Sequence, residues 1–409
     1  MNSSATAERP TVVVGVAGGI AAFKALEVIR LLAESGLNVQ VVPTLSALRF
    51  IGEASFAALS GNPVASDVWS DVHNVPHIQI ARSASAIVIV PATADLLARA
   101  ASGRADDLLT ATILTATCPV IYCPAMHTEM WDNAATVANV ETLRSRGAVV
   151  LEPAVGRLTG ADSGKGRLPD PAAIAAMVHH AVSVGIKADL AGKHVVVTAG
   201  GTREAIDPVR FIGNRSSGRQ GYALAAVAAL RGAQVTLISA NSQLAPPAGV
   251  DVIHVVSTAD MQNALYEYAP KADVVVMAAA VSDFRPVSPS LTKLKKSQVS
   301  QPAVELVHNP DLLTELVANR KSGQLIIGFA AETGDTHADV ITYGQQKLTA
   351  KGCDALVINS VADGKGFESP HNAVTIVQPN AEPVEIPLTT KELVAETVWH
   401  VVTSLLSRT

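Results

Sequence analysis

Short apolar runs alternate with amphipathic segments along the whole chain, and the alternation restarts near its middle. TVVVGV at 11–16 and HVVVTAG at 194–200 are each typical of a buried strand, and each leads into closely spaced glycines. Strands that alternate with helices favour a parallel sheet with helices on both faces. We therefore predict an α/β protein with two doubly wound, Rossmann-like domains and mainly parallel sheets.

The hydrophobic patterning also places the individual elements and the domain boundaries. Strands are predicted at 11–16, 38–44, 86–92, 119–125, 148–151, 194–200, 234–240, 272–280, 324–332 and 354–360. A late hairpin is predicted at 372–378 and 383–388, and helices are predicted at 20–36, 106–116, 134–147, 170–184, 219–233 and from about 391. We expect a disordered tail at 1–10, a first domain at 11–185, a linker at 186–192 and a second domain at 193–409.

Composition supports two domains and narrows the function. The 409 residues exceed what one ordinary core covers, and 48% of them are hydrophobic. The net charge of −5 argues against a general nucleic-acid binder, which needs clustered positive charge. The longest apolar run, at 12–23, contains three glycines and falls short of the ~20 residues of a membrane span. Three cysteines without metal-ligand spacing fit reduced thiols, so we expect a cytoplasmic protein without a zinc site.

Glycine loops follow the first strand of each predicted domain. GVAGGIAAFK at 15–24 brings backbone N–H groups to a helix start, which suits a phosphate, although tight strand–helix packing explains the same pattern. A dinucleotide site needs an acidic residue at the end of the next strand, where it binds the ribose. That strand ends at Thr44 in the first half and at Asn241 in the second. We therefore favour a mononucleotide ligand in each half.

Three further candidates lie in the first half. Thr93 follows the third strand and could donate its hydroxyl to a phosphate or cap a helix. His127 follows the fourth strand, and His77 lies in VPHIQIA. Imidazole suits proton transfer near pH 7, but a lone histidine is also commonly structural. Both interpretations stay open for the two histidines.

In the second half, polar residues cluster around predicted strand ends. Ser216, Ser217 and Gly218 lie at a predicted helix start, which is an anion-binding arrangement. Asn214 precedes them and can donate to a carbonyl or carboxylate. Asp283 ends a strand and could contact Mg²⁺ or a ribose.

Basic and capping residues complete the candidates of this half. HNPDLL at 308–313 predicts a helix start with Asn309 as its cap and Pro310 in the first turn. Lys347 and Lys351 are one helical turn apart, so they could reach one triphosphate or lie on an ordinary exposed face. Lys293 begins KLKK, which is either a functional or a merely solvated basic run.

The segment between the halves, GRLTGADSGKGRL at 156–168, has four glycines and three basic residues. Together with the other motifs it resembles one family. GGIAAFK, PATADLLARAASGRADDLL, PAMH, TAGGTREAIDPVRFIGNRSSGRQG, AAAVSDF, KLKK and GFAAET resemble, in this order, the bacterial bifunctional phosphopantothenoylcysteine decarboxylase/phosphopantothenate–cysteine ligases of coenzyme A biosynthesis. The resemblance covers essentially everything after the first ten residues.

For the first half, the resemblance implies FMN binding and decarboxylation. It places flavin contacts at Gly18, Gly19, Thr44, Ala92 and Thr93. His77 matches the active-site histidine of the family, and His127 stands where the family usually has an asparagine that grips the substrate carboxylate. The 156–168 segment matches the mobile flap that closes over the substrate. Gly160 occupies the position of the flap cysteine that donates a proton, so the resemblance leaves that proton to Thr159, Asp162, a histidine or water.

The implied chemistry explains the need for a flavin. Loss of CO₂ from the cysteine carboxylate leaves a carbanion without an electron sink. Oxidation of the thiol to a thioaldehyde by hydride transfer to FMN supplies that sink, and return of the hydride yields 4′-phosphopantetheine.

For the second half, the resemblance implies a ligase that uses CTP and Mg²⁺. The carboxylate of 4′-phosphopantothenate becomes an acyl-cytidylate, and the amine of cysteine then displaces CMP. Lys293 is expected to stabilise the charge that develops, and Asn214 to hold the acyl carbonyl. Positions matched to CTP contacts are Asp283, Lys293, Pro310, Asp311, Leu312, Leu313, Phe329, Lys347 and Lys351.

The resemblance also implies an assembly and leaves two rivals. Related flavoproteins build active sites across trimer contacts and the ligases dimerise, so a homo-oligomer, a dodecamer of trimers joined through dimers, is expected. Neither nucleic acid nor membrane is an expected partner. One rival is a flavoprotein that decarboxylates peptidyl cysteine, and the other is a non-catalytic flavin-binding regulator.

Overall fold

The structure is a computed structural model that describes residues 9–66, 75–158, 162–185, 187–294, 303–332, 340–360 and 371–408. Its internal contacts divide the chain into two compact units. The first unit comprises Met1–Gly192, Ala229–Ala233 and Ala248–Val250, and the second comprises Lys193–Ala228, Gln234–Pro247 and Asp251–Thr409. Most of the predicted tail, together with residue 186 of the predicted linker and residues 295 and 296 of the KLKK run, lies outside the described residues.

The first unit alternates strands and helices and then ends with a hairpin and a helix. Its strands are β1 Thr11–Val16, β2 Asn38–Pro43, β3 Ala84–Ala92, β4 Val120–Pro124, β5 Val149–Val150, β6 Ala154–Arg157 and β7 Ser163–Arg167. Its helices are α1 Ala22–Glu34, α2 Leu45–Leu48, α3 Glu53–Ser60, α4 Pro76–Ser83, α5 Ala94–Ala101, α6 Leu108–Leu114, α7 Thr128–Trp131, α8 Ala134–Ser145 and α9 Pro171–Val184.

The main sheet of the first unit is parallel, in the order β2-β1-β3-β4-β5. Alternate residues of β1 face opposite sides, as strand geometry requires. Val12 and Val14 belong to the core cluster that includes α1 and α9, and Val13 belongs to the cluster that includes α5, α6 and α8. Helices therefore cover both faces, as the apolar runs predict.

The second unit contains a longer series of elements. Its strands are β8 His194–Gly200, β9 Arg203–Ala205, β10 Phe211–Gly213, β11 Gln234–Ala240, β12 Val250–Val255, β13 Val274–Met277, β14 Phe284–Pro286, β15 Leu306–His308, β16 Leu325–Glu332, β17 Ala355–Ser360, β18 His371–Val377 and β19 Val384–Thr390. Its helices are α10 Arg219–Leu230, α11 Thr258–Tyr268, α12 Leu312–Ala318, α13 Val340–Lys351 and α14 Lys391–Leu406.

The main sheet of this unit has eight strands in the order β12-β11-β8-β13-β16-β17-β18-β19. The pairs from β11 to β17 are parallel, whereas β18 pairs antiparallel with both β17 and β19. The mainly parallel α/β class is therefore confirmed, and so is the late hairpin at the sheet edge. Two short antiparallel hairpins, β9–β10 and β14–β15, were not expected from the sequence.

Two local expectations differ from the structure. The cap of α12 is Asp311 and not Asn309, because the Asp311 carboxylate accepts a hydrogen bond from the Thr314 N–H at 3.1 Å. The Asn309 amide instead donates to the Ser282 carbonyl at 2.8 Å. The two arms of the glycine-rich segment form the β6–β7 hairpin, while its tip, with Thr159 and Gly160, lies outside the described residues.

Candidate active sites

The five positions matched to flavin contacts lie at the carboxyl edge of three adjacent strands. Gly18 and Gly19 follow β1, Thr44 follows β2, and Ala92 and Thr93 stand at the end of β3. Ligands of open parallel sheets bind at this edge. The structure therefore brings all five positions together.

The glycine loop fits tightly between its neighbours. A Cβ atom at Gly18 would overlap the side chain of Ser46, and one at Gly19 would lie 3.4 Å from Thr93 Cγ2. Close packing therefore accounts for the glycine at 18, whether or not its N–H group also meets a phosphate.

Both threonines at this edge cap helices. The Thr44 hydroxyl accepts a hydrogen bond from the Ala47 N–H at 3.1 Å, and the Thr93 hydroxyl accepts one from the Leu96 N–H at 3.4 Å. Two helix starts consequently lie beside the glycine loop, and helix starts favour anions.

A cavity of about 460 Å³ opens beside the end of β4. His127 lines it, is exposed and precedes α7 without making a capping hydrogen bond. The other lining residues are Gly19, Ile20, Ala21, Phe23, Lys24, Pro91, Ala125, Met126, Arg157, Leu158, Gly166, Arg167 and Leu168. The cavity thus joins the glycine loop to the PAMH segment and the hairpin.

The hairpin lies directly on the segment that carries His127. The Met126 N–H donates to the Gly166 carbonyl at 3.0 Å. A Cβ atom at Gly166 would overlap the Met126 carbonyl, and one at Gly164 would overlap the Thr128 hydroxyl. Glycine at these two positions is therefore a condition for the contact.

Glu152 anchors the outgoing arm of the hairpin. It is 8% exposed, and its carboxylate contacts Arg144 at 2.8 Å and Lys165 at 2.9 Å. Burial alone would raise the pKa of Glu152, but the two cations hold it below its usual value. The arm is thus tied to α8 by a charged, largely buried carboxylate.

His77 lies elsewhere in the unit. It is in the first turn of α4, its Nδ1 atom is buried, and no hydrogen-bond partner for that atom exists among the described residues. The Thr115 hydroxyl donates to its backbone carbonyl at 3.4 Å. His77 is not among the residues that line the cavity of His127, so the structure does not bring the two histidines together within one chain.

A cavity of about 770 Å³ lies at the carboxyl ends of β13 and β16 in the second unit. It gathers Asn214 with eight of the nine positions matched to CTP contacts, namely Asp283, Pro310, Asp311, Leu312, Leu313, Phe329, Lys347 and Lys351. Residues from five separate segments thus meet in one place, as the resemblance implies.

Asn214 is held over the end of β13 by backbone contacts. Its Nδ2 donates to the Val281 carbonyl at 3.1 Å. A Cβ atom at Gly201 would lie 2.6 Å from the Asn214 carbonyl oxygen, so the glycine loop after β8 makes room for the Asn214 segment. One N–H of the exposed Asn214 side-chain amide donates to the Val281 carbonyl. The side-chain amide has a second N–H that can donate to a ligand.

Two residues matched to CTP contact each other. Lys351 Nζ lies against the Asp311 carboxylate in an ion pair. Burial alone would raise the pKa of Asp311, but hydrogen bonds from Lys351 and Thr314 lower it. Lys351 is therefore paired with a residue 40 positions earlier in the sequence, and it does not lie on an ordinary exposed helix face.

Lys293 is exposed and is not among the residues lining this cavity. Its neighbour Leu294 is bonded on both sides, because its N–H donates to Asp207 at 3.2 Å and its carbonyl accepts from Arg210 at 2.8 Å. Burial alone would raise the pKa of Asp207, but Arg210 and three backbone N–H groups hold it far below its usual value. The Asp207–Arg210 pair thus fixes where the segment of Lys293 starts.

A smaller cavity, of about 130 Å³, shares Phe329 and its neighbours with the larger one. Ser216, Ser217 and Gly218 line it at the start of α10, together with the buried Lys391. Burial and the charge of Arg219 lower the pKa of Lys391. The predicted anion-binding arrangement therefore includes a lysine that sequence analysis missed, because TTKE looks like any capped helix start.

Across the described ranges, no cluster of three or more His, Cys, Asp or Glu residues could hold a metal ion. The helices in the same ranges include none that is both long and apolar enough to cross a membrane.

Comparisons with known proteins identify both units. The flavoprotein family model matches residues 1–183, and the model of the DNA/pantothenate metabolism flavoprotein C-terminal domain matches residues 190–406. The coenzyme A biosynthesis bifunctional protein CoaBC of Mycobacterium tuberculosis is 57% identical over 88% of each chain. The CoaBC protein of Bacillus subtilis is 41% identical over 92% of each chain.

A solved C-terminal domain of a CoaBC protein is 37% identical, covers 54% of this chain and 99% of its own, and has a TM-score of 0.46. The two family models together account for nearly the whole chain, and the full-length relatives carry both parts in one polypeptide. The chain therefore belongs to the CoaBC family and is a bifunctional enzyme of coenzyme A biosynthesis, with a flavoprotein decarboxylase half and a ligase half.

Proposed function

We propose that residues 193–409 join 4′-phosphopantothenate to cysteine at the expense of CTP, and that residues 11–185 decarboxylate the product to 4′-phosphopantetheine with FMN. The observation that carries the ligase half is the cavity of about 770 Å³, which contains Asn214 and most of the positions matched to CTP. The decarboxylase half rests on the flavin-matched edge of β1–β3 and on the adjoining cavity of His127.

In the ligase half, the substrate carboxylate attacks the α-phosphate of CTP, pyrophosphate leaves, and an acyl-cytidylate forms. The amine of cysteine then attacks the acyl carbon, and CMP leaves with the electron pair of the cleaved bond. Lys293 stabilises the negative charge of the first step, and the second N–H of Asn214 holds the acyl carbonyl for the second. Lys293 must approach the cavity for this role.

Phosphate recognition in this half is assigned to two regions. Ser216, Gly218 and the helix start of α10 suit the triphosphate tail, because they line one cavity together with the buried Lys391. Asp283 is exposed at the larger cavity and suits Mg²⁺ that travels with the nucleotide. Lys347, in the same cavity, supplies further positive charge.

In the decarboxylase half, the glycine loop and the helix starts capped by Thr44 and Thr93 fit the phosphate end of FMN. Bound FMN would supply the electron sink, because it would take up a hydride from the carbon that bears the thiol and give it back after CO₂ is lost. His127 donates a hydrogen bond to the substrate carboxylate, and the hairpin excludes water from the cavity. The final proton comes from Thr159, Asp162, a histidine or water.

The separate positions of His77 and His127 support an oligomeric decarboxylase. The resemblance places both histidines at one active site, whereas in one chain His77 lies outside the cavity of His127. A trimer in which each site takes the two histidines from different copies satisfies both statements. Ligase dimers that join four such trimers make the proposed dodecamer.

One assay tests the proposed function against its rivals. The purified protein is incubated with 4′-phosphopantothenate, CTP, Mg²⁺ and cysteine, and pyrophosphate and CO₂ are measured together. We expect both, in equal amounts, and neither when CTP is replaced by buffer. Release of CO₂ from a peptide with C-terminal cysteine but not from this mixture would favour the peptidyl-cysteine decarboxylase, and release of neither product from any substrate would favour the non-catalytic regulator.

A further inference from the structure

We propose that Lys24, Arg157 and Arg167 form the site that binds the 4′-phosphate of the decarboxylase substrate. The inference rests on the proposed decarboxylation in the first unit and adds a residue-level basis for its substrate choice. It also explains why the β6–β7 hairpin carries basic residues, since closure over the substrate does not by itself require positive charge.

The cavity of His127 has a one-sided charge. Its described lining includes Lys24, Arg157, Arg167 and His127, and it includes no carboxylate. Its volume of about 460 Å³ is in the range of small-molecule sites. Three cations that surround one cavity without an acid in its wall favour an anionic ligand.

Lys24 and Arg167 come close enough to disturb each other. Burial lowers the pKa of Lys24, and the charge of Arg167 lowers it further, while Asp170 and Glu27 act in the opposite direction. A Cβ atom at Gly156 would lie 3.3 Å from the Arg167 guanidinium, so this side chain lies across the hairpin toward the strand of Arg157. A bound dianion would relieve the repulsion between Lys24 and Arg167.

The structure divides the basic residues of the hairpin into two groups. Lys165 contacts the largely buried Glu152 at 2.9 Å and so anchors β7. Arg157 and Arg167 line the cavity instead. A shift in the β6–β7 pairing register occurs between Lys165 and Arg167, at the point where the two roles separate.

The chemical groups of the substrate match the residues of this cavity. The substrate carries a carboxylate and a thiol at one end and a phosphate monoester at the other. His127 is assigned to the carboxylate, and the cations of α1 and the hairpin remain for the phosphate. Ile20 and Phe23, which are 65% and 56% exposed, form an apolar part of the same wall, suited to the branched methyl groups between the two ends. Arginine is well matched to phosphate because its planar fork donates two parallel hydrogen bonds.

The test compares the phosphorylated substrate with its dephosphorylated form, pantothenoylcysteine. In the unaltered protein we expect kcat/KM to be higher for the phosphorylated form. In Lys24→Gln and in Arg167→Gln we expect kcat/KM for that form to fall by about tenfold to a hundredfold, mainly through KM. The kcat/KM for the dephosphorylated form should fall much less, and Arg167→Lys should recover part of the loss because it keeps the charge.

Arg30→Gln serves as the matched control, because Arg30 lies on the same helix as Lys24 and forms only an exposed pair with Glu34 at 3.5 Å. FMN absorbance of each variant reports whether the unit is folded. Equal losses for both substrates, or no loss for either, would overturn the phosphate site while leaving the decarboxylase proposal intact. Failure of the unaltered protein to decarboxylate either substrate would overturn both.

Discussion

The two units begin alike and then use their glycines differently. In each, a central parallel strand leads into paired glycines, Gly18–Gly19 after β1 and Gly200–Gly201 after β8. In the first unit, α1 begins within three residues of the glycine pair. In the second, the β9–β10 hairpin intervenes, and the first helix, α10, starts only at Arg219.

The neighbours of the glycines explain the difference. Gly18 packs against Ser46 beside two capped helix starts, so the anion-binding groups stay at the loop itself. Gly200 has a φ of +83°, and a Cβ there would overlap the Ala240 carbonyl, while Gly201 makes room for Asn214. The second loop thus positions a side chain, and the anion-binding arrangement moves to Gly218. In the proposed function, the same short motif would therefore contact a ligand directly in one unit and position a ligand-binding residue in the other.

The largest expected effect is a loss of ligase activity without a loss of decarboxylase activity. Lys293→Gln should lower acyl-cytidylate formation by at least about a hundredfold, because a cation aimed at developing charge is lost. Decarboxylation of supplied phosphopantothenoylcysteine should not change. A quenched assay with labelled CTP measures the intermediate, and Lys321→Gln, an exposed lysine of the same unit, is the control. Undiminished intermediate would remove Lys293 from the mechanism.

Asn214→Asp should block the second half of the ligase reaction. A carboxylate cannot donate to the acyl carbonyl and repels it, so we expect amide formation to fall by about tenfold or more while the acyl-cytidylate accumulates. The same quenched assay, run with and without cysteine, measures both quantities. Amide formation at the ordinary rate would contradict the role given to Asn214.

Alanine substitutions in the two glycine loops test whether each loop supports the activity of its own unit. We expect Gly18→Ala to lower flavin content and CO₂ release, and Gly200→Ala to lower CTP-dependent pyrophosphate release, each by a strain of about 1–3 kcal/mol. Each variant should leave the other activity intact. Gly52→Ala is the control, because no atom lies within 4 Å of a Cβ there. Loss of both activities in either variant would show that the loops do not act separately.

The smallest expected effect is a pH dependence confined to the first unit. The pKa of Glu152 is lower in the folded protein than in the unfolded chain, so its charge stabilises the fold above about pH 4.3, and this contribution is lost as the pH falls further. We therefore expect the difference in Tm between the unaltered protein and Glu152→Gln to stay constant from about pH 7 to about pH 5 and to shrink as the pH falls below about 4.3. A difference that is independent of pH would mean that the Glu152 charge is not what anchors the hairpin.

The strands of both sheets could be predicted because buried parallel strands are continuous apolar runs. β1, β8 and β11 have the predicted bounds, the other predicted main-sheet strands differ at their ends, and β12 was not predicted. The β6–β7 hairpin gave no such signal, because glycine and basic residues are rare in strands. Its stability comes from contacts with Met126 and Glu152, which lie outside the segment.

Two contacts near the candidate ligase site were not predicted, because each depends on residues that are distant in sequence. Asn309 looks like a helix cap in sequence, but its amide is taken by Ser282, and Asp311 caps the helix instead. Lys351 looks like a free cation on a helix face, but it pairs with Asp311. Such choices depend on tertiary neighbours, whereas the strand ends that carry Thr44 and Thr93 follow from local pattern alone. The expectation that Asp283 ends a strand was wrong, because β13 ends at Met277 and Asp283 directly precedes β14.

The hydrogen bond from the Met126 N–H to the Gly166 carbonyl has a mechanical consequence. It connects the β6–β7 hairpin to the backbone beside His127, the proposed ligand of the substrate carboxylate, so we expect that the hairpin cannot move without disturbing that contact. Release of the product and loss of its contact with His127 would then occur together. A change that weakens this hydrogen bond would speed release of the bound molecule relative to its reaction.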